Sequence, residues 1–302
     1  MKKTLIALAA VAVTTGAMAQ VTLSGGAAYG YQSTKTNSVD AKGFGVDTAA
    51  FKMSASEDLG GGMKLSAAIA LGGLTRGDTP TGEDFTIVVS GGFGSVLLGQ
   101  IEIGSGIRGL AQAGAPVNNM QGEILGAATA GTDIVKYTAP KMGDFTFSAS
   151  HTETKGLATG MTTGQSTATT VGVDYASGPI AAKIDSSSWS ENATLDSRYR
   201  IAASYDLGVV KVGAGREDIT LVSTLHTKYT MFGVSAPLSA NVTVGAVSVK
   251  EDIAGVTRSG TSVGASYALS KRTSVSANTA SWEITGQTAK DKKTTILLAH
   301  SF

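Results

Sequence analysis

The feature that most constrains this chain is an alternation of apolar and polar residues with a period of two, recurring from residue 21 to residue 302. Val21, Leu23, Ala27, Tyr29 and Tyr31 share one parity, and small or polar residues take the other. Phe51, Met53 and Ala55 alternate with Lys52, Ser54 and Ser56; Met63, Leu65, Ala67, Ile69 and Leu71 alternate with Lys64, Ser66 and Ala68. Later segments repeat it around Val135 and Tyr137, Val171 to Tyr175, Tyr199 to Tyr205, and Ile296 to Phe302. Successive strand side chains point to opposite faces, so each segment is a β-strand with one apolar face.

Alternation alone serves a soluble sandwich and a membrane barrel equally. The connections separate the two. Short turns at Asp58 to Gly62, Gly91 to Gly94, Ser177 to Pro179, Asp206 to Gly208 and Pro237 to Asn241 take turns with longer polar loops. Such asymmetry belongs to outer-membrane barrels, whose turns are tight at one rim and long at the other. Strands are expected to start near residues 21, 46, 63, 84, 95, 133, 145, 167, 180, 197, 209, 226, 242, 260, 273 and 293. The expectation is therefore an all-β fold, a 16-stranded antiparallel transmembrane β-barrel wide enough to keep an aqueous lumen. One connection, Ile101 to Thr132, is far longer than the rest, and a loop of that length is usually functional. It is expected to fold inward and narrow the lumen, with Glu102, Arg108 and Glu123 as the charged constriction residues.

Residues 1–19 carry Lys2 and Lys3, an apolar run from Leu5 to Val13, and Ala17-Met18-Ala19, the pattern of a cleavable export signal. The run is too short for a transmembrane helix, which needs roughly 20 apolar residues. The mature barrel domain is expected to be residues 20–302. Removing two lysines from 24 basic residues leaves 22 against 23 acidic ones, so no nucleic-acid partner is expected. Cysteine is absent, which excludes disulfides and thiolate metal sites. The 39 glycines would suit a disordered chain, but a hydrophobic fraction of 42% arranged with period two would not.

Catalytic patterns are missing. His151, His226 and His300 form no His-Glu-x-x-His, and there is no Gly-x-Ser-x-Gly. The glycine runs join strand to strand, so no helix N-terminus is offered to a phosphate. Neither an enzyme, a metal site nor a cofactor is expected.

Four passages resemble the general porins of β-proteobacteria: Ser56-Glu-Asp-Leu-Gly-Gly-Gly-Met-Lys64, Gly91-Gly-Phe-Gly-Ser-Val-Leu-Leu-Gly99, Val135-Lys-Tyr-Thr-Ala-Pro140 with Phe145-Thr-Phe147, and Tyr267-Ala-Leu-Ser-Lys-Arg-Thr273, followed by a final Phe302. The resemblance implies a homotrimeric outer-membrane channel for small hydrophilic solutes, surrounded by membrane lipids and lipopolysaccharide. It further implies that residues 72–83 touch a neighbouring subunit and that Phe302 is the signal read by the barrel-assembly machinery. Where the family sets wall arginines, this chain has Ala50, Ser54, Gln100 and Lys136. Lys52, Lys183, Arg198, Arg200 and Lys211 have lumen parity, opposed by Asp174 and Asp185. Lys52, Gln100, Lys136, Arg198 and Arg200 are the expected pore wall, giving weak selectivity with anions slightly favoured. A substrate-specific channel and a plugged adhesin barrel are the competing readings. Aromatic residues are sparse at 6%, with Trp189 and Trp282 at outer strand ends as candidates for the membrane interface.

Overall fold

The computed structural model describes residues 20–75, 79–102, 106–125, 131–153 and 166–302. The expected export signal lies outside them. Sixteen strands follow in chain order: β1 Gln20–Thr36, β2 Val39–Gly60, β3 Met63–Gly72, β4 Thr81–Gly91, β5 Gly94–Glu102, β6 Gly131–Thr138, β7 Phe145–Glu153, β8 Thr167–Ser177, β9 Ile180–Ser190, β10 Leu195–Asp206, β11 Lys211–Leu221, β12 His226–Pro237, β13 Val242–Ile253, β14 Val256–Ala268, β15 Thr273–Ile284 and β16 Asp291–Ser301. Two short helices, α1 Arg108–Ala111 and α2 Met120–Leu125, interrupt the connection between β5 and β6. No described helix is long and apolar enough to cross a membrane.

Each strand pairs antiparallel with its sequence neighbours, and β1 closes the barrel on β16. Closure leaves no sheet edge, so every strand finds backbone partners on both sides. The seam ends with reciprocal hydrogen bonds between Gly25 and Phe302, at 3.0 and 3.1 Å. The Phe302 ring lies where a Cβ on Gly25 would stand, so glycine there is what lets the ring cover the seam.

Fifteen of the sixteen strands begin within four residues of the expected positions, which isolates β2 as the exception. It starts seven residues early, at Val39, because Asn37 and Ser38 both take positive φ, 51° and 67°, and turn β1 directly into β2. That pair of dihedrals makes a tight hairpin out of residues that read as a polar loop. At the opposite rim, Gly60, Gly61 and Gly62 have φ of 77°, 62° and 78°, a run that side chains would strain.

Outward parity carries the apolar band. Leu23, Ile69, Val135, Val171, Phe232 and Val263 are all exposed. Several of its aromatic members lie toward the rim of short turns, where Tyr137, Phe145, Tyr205 and Tyr267 are exposed and the Tyr137 hydroxyl donates to the Phe93 carbonyl at 2.8 Å. The two tryptophans do not join them. Trp189 pairs with Ala168, and Trp282 with Gly260 and Asp291, all of inward parity. Both sit near strand ends as expected, but one residue of register turns a membrane anchor into a lumen residue.

Candidate functional site

The inside of the barrel divides into two sectors. Over β10 to β16 the wall is covered by the described residues of the long connection, 106–125. The cover is apolar where it meets the wall: Ile107, Ala111, Ala115, Met120 and Ile124 form one buried cluster with Ala202, Tyr229, Met231, Val247, Val249, Ala280 and Trp282. Contact is so close that glycine is required. A Cβ on Gly213 or Gly233 would collide with the carbonyls of Leu110 or Ala111, one on Gly245 with Ala115, and one on Gly264 with the Pro116 carbonyl. These four glycines lie on neighbouring strands, Gly213 opposite Gly233 and Gly245 opposite Gly264, and cut a shallow bed across the wall.

Polar ties fix the segment along its length. The Ser235 hydroxyl donates to the Ala113 carbonyl at 2.6 Å, and the Asn118 amide nitrogen donates to the Ser262 hydroxyl at 3.2 Å. Arg258 donates to the Ile124 carbonyl at 2.9 Å, and Lys293 meets Glu123 at 2.7 Å. Several strands therefore hold one loop.

Under this cover runs a belt of directly paired residues: Asp185, Arg200, Glu217, Tyr229, Glu251 and Arg258, from β9 to β14. Arg200 pairs with Asp185 at 2.7 Å and faces Glu217 at 3.9 Å, while Arg258 pairs with Glu251 at 3.4 Å. All but Arg258 are buried. Opposite charges directly across a ladder attract, and removal from water makes each partner indispensable to the other.

The sector from β1 to β9, bordered by Arg198 on β10, is open to the lumen and is of a different kind. Lys52 pairs with Ser24 and Ala70, residues of inward parity. Lys136 is followed around the wall by its successive partners Ser150, Thr170, Ser187 and Arg198. Arg198 donates to the Ser187 hydroxyl at 3.3 Å and lies 5.1 Å over the Trp189 ring. Lys183 faces the lumen and meets Asp174 at 3.6 Å.

The expected constriction residues have separate fates. Arg108 opens α1, is exposed, and donates to the Gln112 side chain at 3.1 Å. Glu123 lies in α2, neutralised by Lys293. Glu102 belongs to the end of β5, where its amide donates to the Asp84 carboxylate at 2.9 Å. It is a strand residue at the rim, because β5 and β6 pair up to Glu102 and Gly131 before the connection departs.

Among the wall residues, Lys52, Lys136, Arg198 and Arg200 have inward parity, but Arg200 lies beneath Gly106 and spends its charge on Asp185. Gln100 points the other way. It pairs with Phe85 and Asp133 and shares the parity of the exposed Leu98 and Val135, so it is not a wall residue of the lumen. An unbroken register through β5 decides this, and position by resemblance does not. Glycines at inward parity on adjacent strands, and the charges of β11 to β14, were the signals of the covered sector that the sequence reading passed over.

Residues 5–286 match the family of Gram-negative porins. The chain belongs to that family. Solved structures agree in fold: the anion-selective porin from Comamonas acidovorans superposes with a TM-score of 0.74 at 19% identity, over 94% of this chain and 100% of that one. The trimer form of the outer-membrane protein OmpT of Vibrio cholerae gives 0.71 at 11%, over 94% and 99%, and a triple mutant of the Rhodopseudomonas blastica porin gives 0.69 at 12%, over 94% and 100%. No match is found among curated proteins. The protein is thus a porin of the Gram-negative outer membrane, a β-barrel channel for passive diffusion of small hydrophilic solutes and ions.

Proposed function

We propose that solutes cross this porin between the segment 106–125 and the open wall of β1 to β9, with a weak preference for anions and with no bond made or broken. The supporting observation is the unequal fate of charge in the two sectors. Carboxylates under the cover are matched by Arg200 and Arg258, whereas Lys52 and Lys136 on the open sector, Arg198 at its border on β10, and Arg108 on the segment form no ion pair among the described residues. Positive charge is thereby left where a hydrated ion would pass, and the sign of charge at the narrowest ring sets ion preference.

The same reading makes the functional unit a homotrimer in contact with outer-membrane lipids and lipopolysaccharide. Residues 72–83 supply the neighbour contact, and exposed Phe302 is what the assembly machinery recognises. In planar bilayers the folded protein should give large, persistent single-channel steps. Under a KCl gradient the Arg108→Glu/Lys136→Glu variant should move the reversal potential toward cation preference; an unmoved potential would remove both residues from the solute path.

A further inference from the structure

We propose that the open wall carries a subsite for small polyhydroxylated organic anions, of the sugar-acid or sugar-phosphate kind, built on Trp189 and Arg198. This rests on the porin reading and adds a preferred solute class to it. The site is a recess of about 390 Å³ on the inner face of β6 to β10, bounded at one edge by Gly106 of the long connection.

Three chemistries meet there. The first is a platform: the Trp189 indole faces the recess with the Arg198 guanidinium 5.1 Å above its ring. A guanidinium stacked on an aromatic ring keeps its in-plane N–H groups for a carboxylate or phosphate. The Arg198 Nη2 is given to the Ser187 hydroxyl, while its buried Nε has no hydrogen-bond partner among the described residues and is an unmet donor at the base of the recess. The second is a hydroxyl face, Ser150 and Thr170 beside Lys136, with the buried Ser187 hydroxyl bonded to Thr170 at 2.8 Å and tying it to Arg198 in directly paired succession. These four interstrand steps put about 19 Å of concave wall between the two cations at backbone level, and their long side chains shorten the gap. The third is an excess of positive charge. Lys136, Lys183, Arg198 and Arg200 line the recess against Glu102 and Asp185; Asp185 is taken by Arg200 and Asp174 meets Lys183, and neither Lys136 nor Arg198 forms an ion pair among the described residues.

Each chemistry excludes a simpler solute. A halide would use the cations but neither indole nor hydroxyls. A neutral sugar would stack on Trp189 and bond the hydroxyls, yet has nothing for Lys136 and Arg198. Only a polyol bearing an anionic group engages all three, in the usual manner of small-ligand sites, where an apolar face is combined with a few placed polar groups.

The test is ion current through the full-length porin in planar bilayers, with sodium gluconate, glucose 6-phosphate, glucose or sodium acetate added to a KCl background. Saturable block by gluconate or glucose 6-phosphate, absent with glucose and acetate, is expected; the stronger blocker tells carboxylate from phosphate. Trp189→Ala and Arg198→Gln should each weaken the block about tenfold, the size of one lost stacking or charged hydrogen-bond contact. Trp189→Phe, which keeps an aromatic face, should retain most of it, and the outward-facing Tyr199→Phe all of it. Normal KCl conductance with no saturable block, or block equal in wild type and in Trp189→Ala, overturns the subsite and leaves the porin reading standing. Absent KCl conductance from folded protein overturns the porin reading, and the subsite falls with it.

Discussion

Two sectors of one barrel wall, built from the same alternating strands, have opposite interiors. From β10 to β16 the inner face is glycine, apolar side chains and matched charges, all covered by the segment 106–125. From β6 to β9 it is serine, threonine and lysine facing the lumen. Outward, the sectors are alike, for both present valine, isoleucine and tyrosine to the membrane. The difference teaches where stability and permeation reside. A wide barrel has no filled centre, so a sector can be made protein-like only by bringing chain in to cover it. The covered sector is then subject to the rules of a packed core, and the open one to those of a solvated surface.

The contrast can be broken most forcefully at the charge belt. Arg200→Ala removes the cation that pairs with Asp185 on one side and faces Glu217 on the other, and leaves both carboxylates buried. Removing one partner of a buried pair costs about 3–5 kcal/mol, so the urea midpoint of refolding in lipid vesicles should fall well below wild type. A midpoint within error of wild type would mean that the belt is hydrated and the sector is not a core.

Gly233→Leu attacks the same sector through space instead of charge. The new side chain meets the Ala111 carbonyl and the Gln112 backbone, which cannot swing aside as a flexible side chain could. Overpacking of this kind typically costs about 1–3 kcal/mol, and here it should also unseat the segment. Protease nicking within 106–125, measured alongside the urea midpoint, separates the two consequences.

The barrel was legible because alternation reports a strand whatever its surroundings, and turn length reports which rim it approaches. What alternation does not report is which inward residues a distant loop will cover. Gly213, Gly233, Gly245 and Gly264 look alike in sequence to the turn glycines, and only the register between strands lines them up. Trp282 reads as an interfacial anchor until its parity is fixed by Gly260 and Asp291. Gln100 shows the reverse: it was placed on the wall by resemblance, and its own ladder partners Phe85 and Asp133 turn it outward. Of the expected constriction residues, Arg108 and Glu123 are legible as members of the long connection, but the partner of Glu123 is not, because the Lys293 that neutralises it comes 170 residues later.

That ion pair lies at the boundary between the sectors and tests a smaller effect. Both side chains keep about a quarter of their exposure, so Lys293→Met should cost no more than about 1 kcal/mol. The larger signal should be electrical, since Glu123 then faces the lumen with its charge uncompensated and anion preference should decline. A reversal potential unchanged from wild type would place Glu123 away from the solute path.

The smallest expected effect belongs to the open sector, and it is the sharpest control on the comparison. Ser150 pairs with Lys136 and Thr170 and lines the open recess, and no described segment packs on it as Gly106 packs on Arg200. Ser150→Ala should therefore behave as a surface substitution, within about ±0.5 kcal/mol. It deletes a hydroxyl that water can replace at once, whereas the same change at Ser235 strips the buried Ala113 carbonyl of its donor. Losing a partner inside a packed region leaves the other group unsatisfied, at a cost of about 1–3 kcal/mol. Measured side by side, Ser150→Ala and Ser235→Ala hold chemistry and fold constant and vary only the cover. Equal urea midpoints would mean that the segment 106–125 does not divide the wall in two.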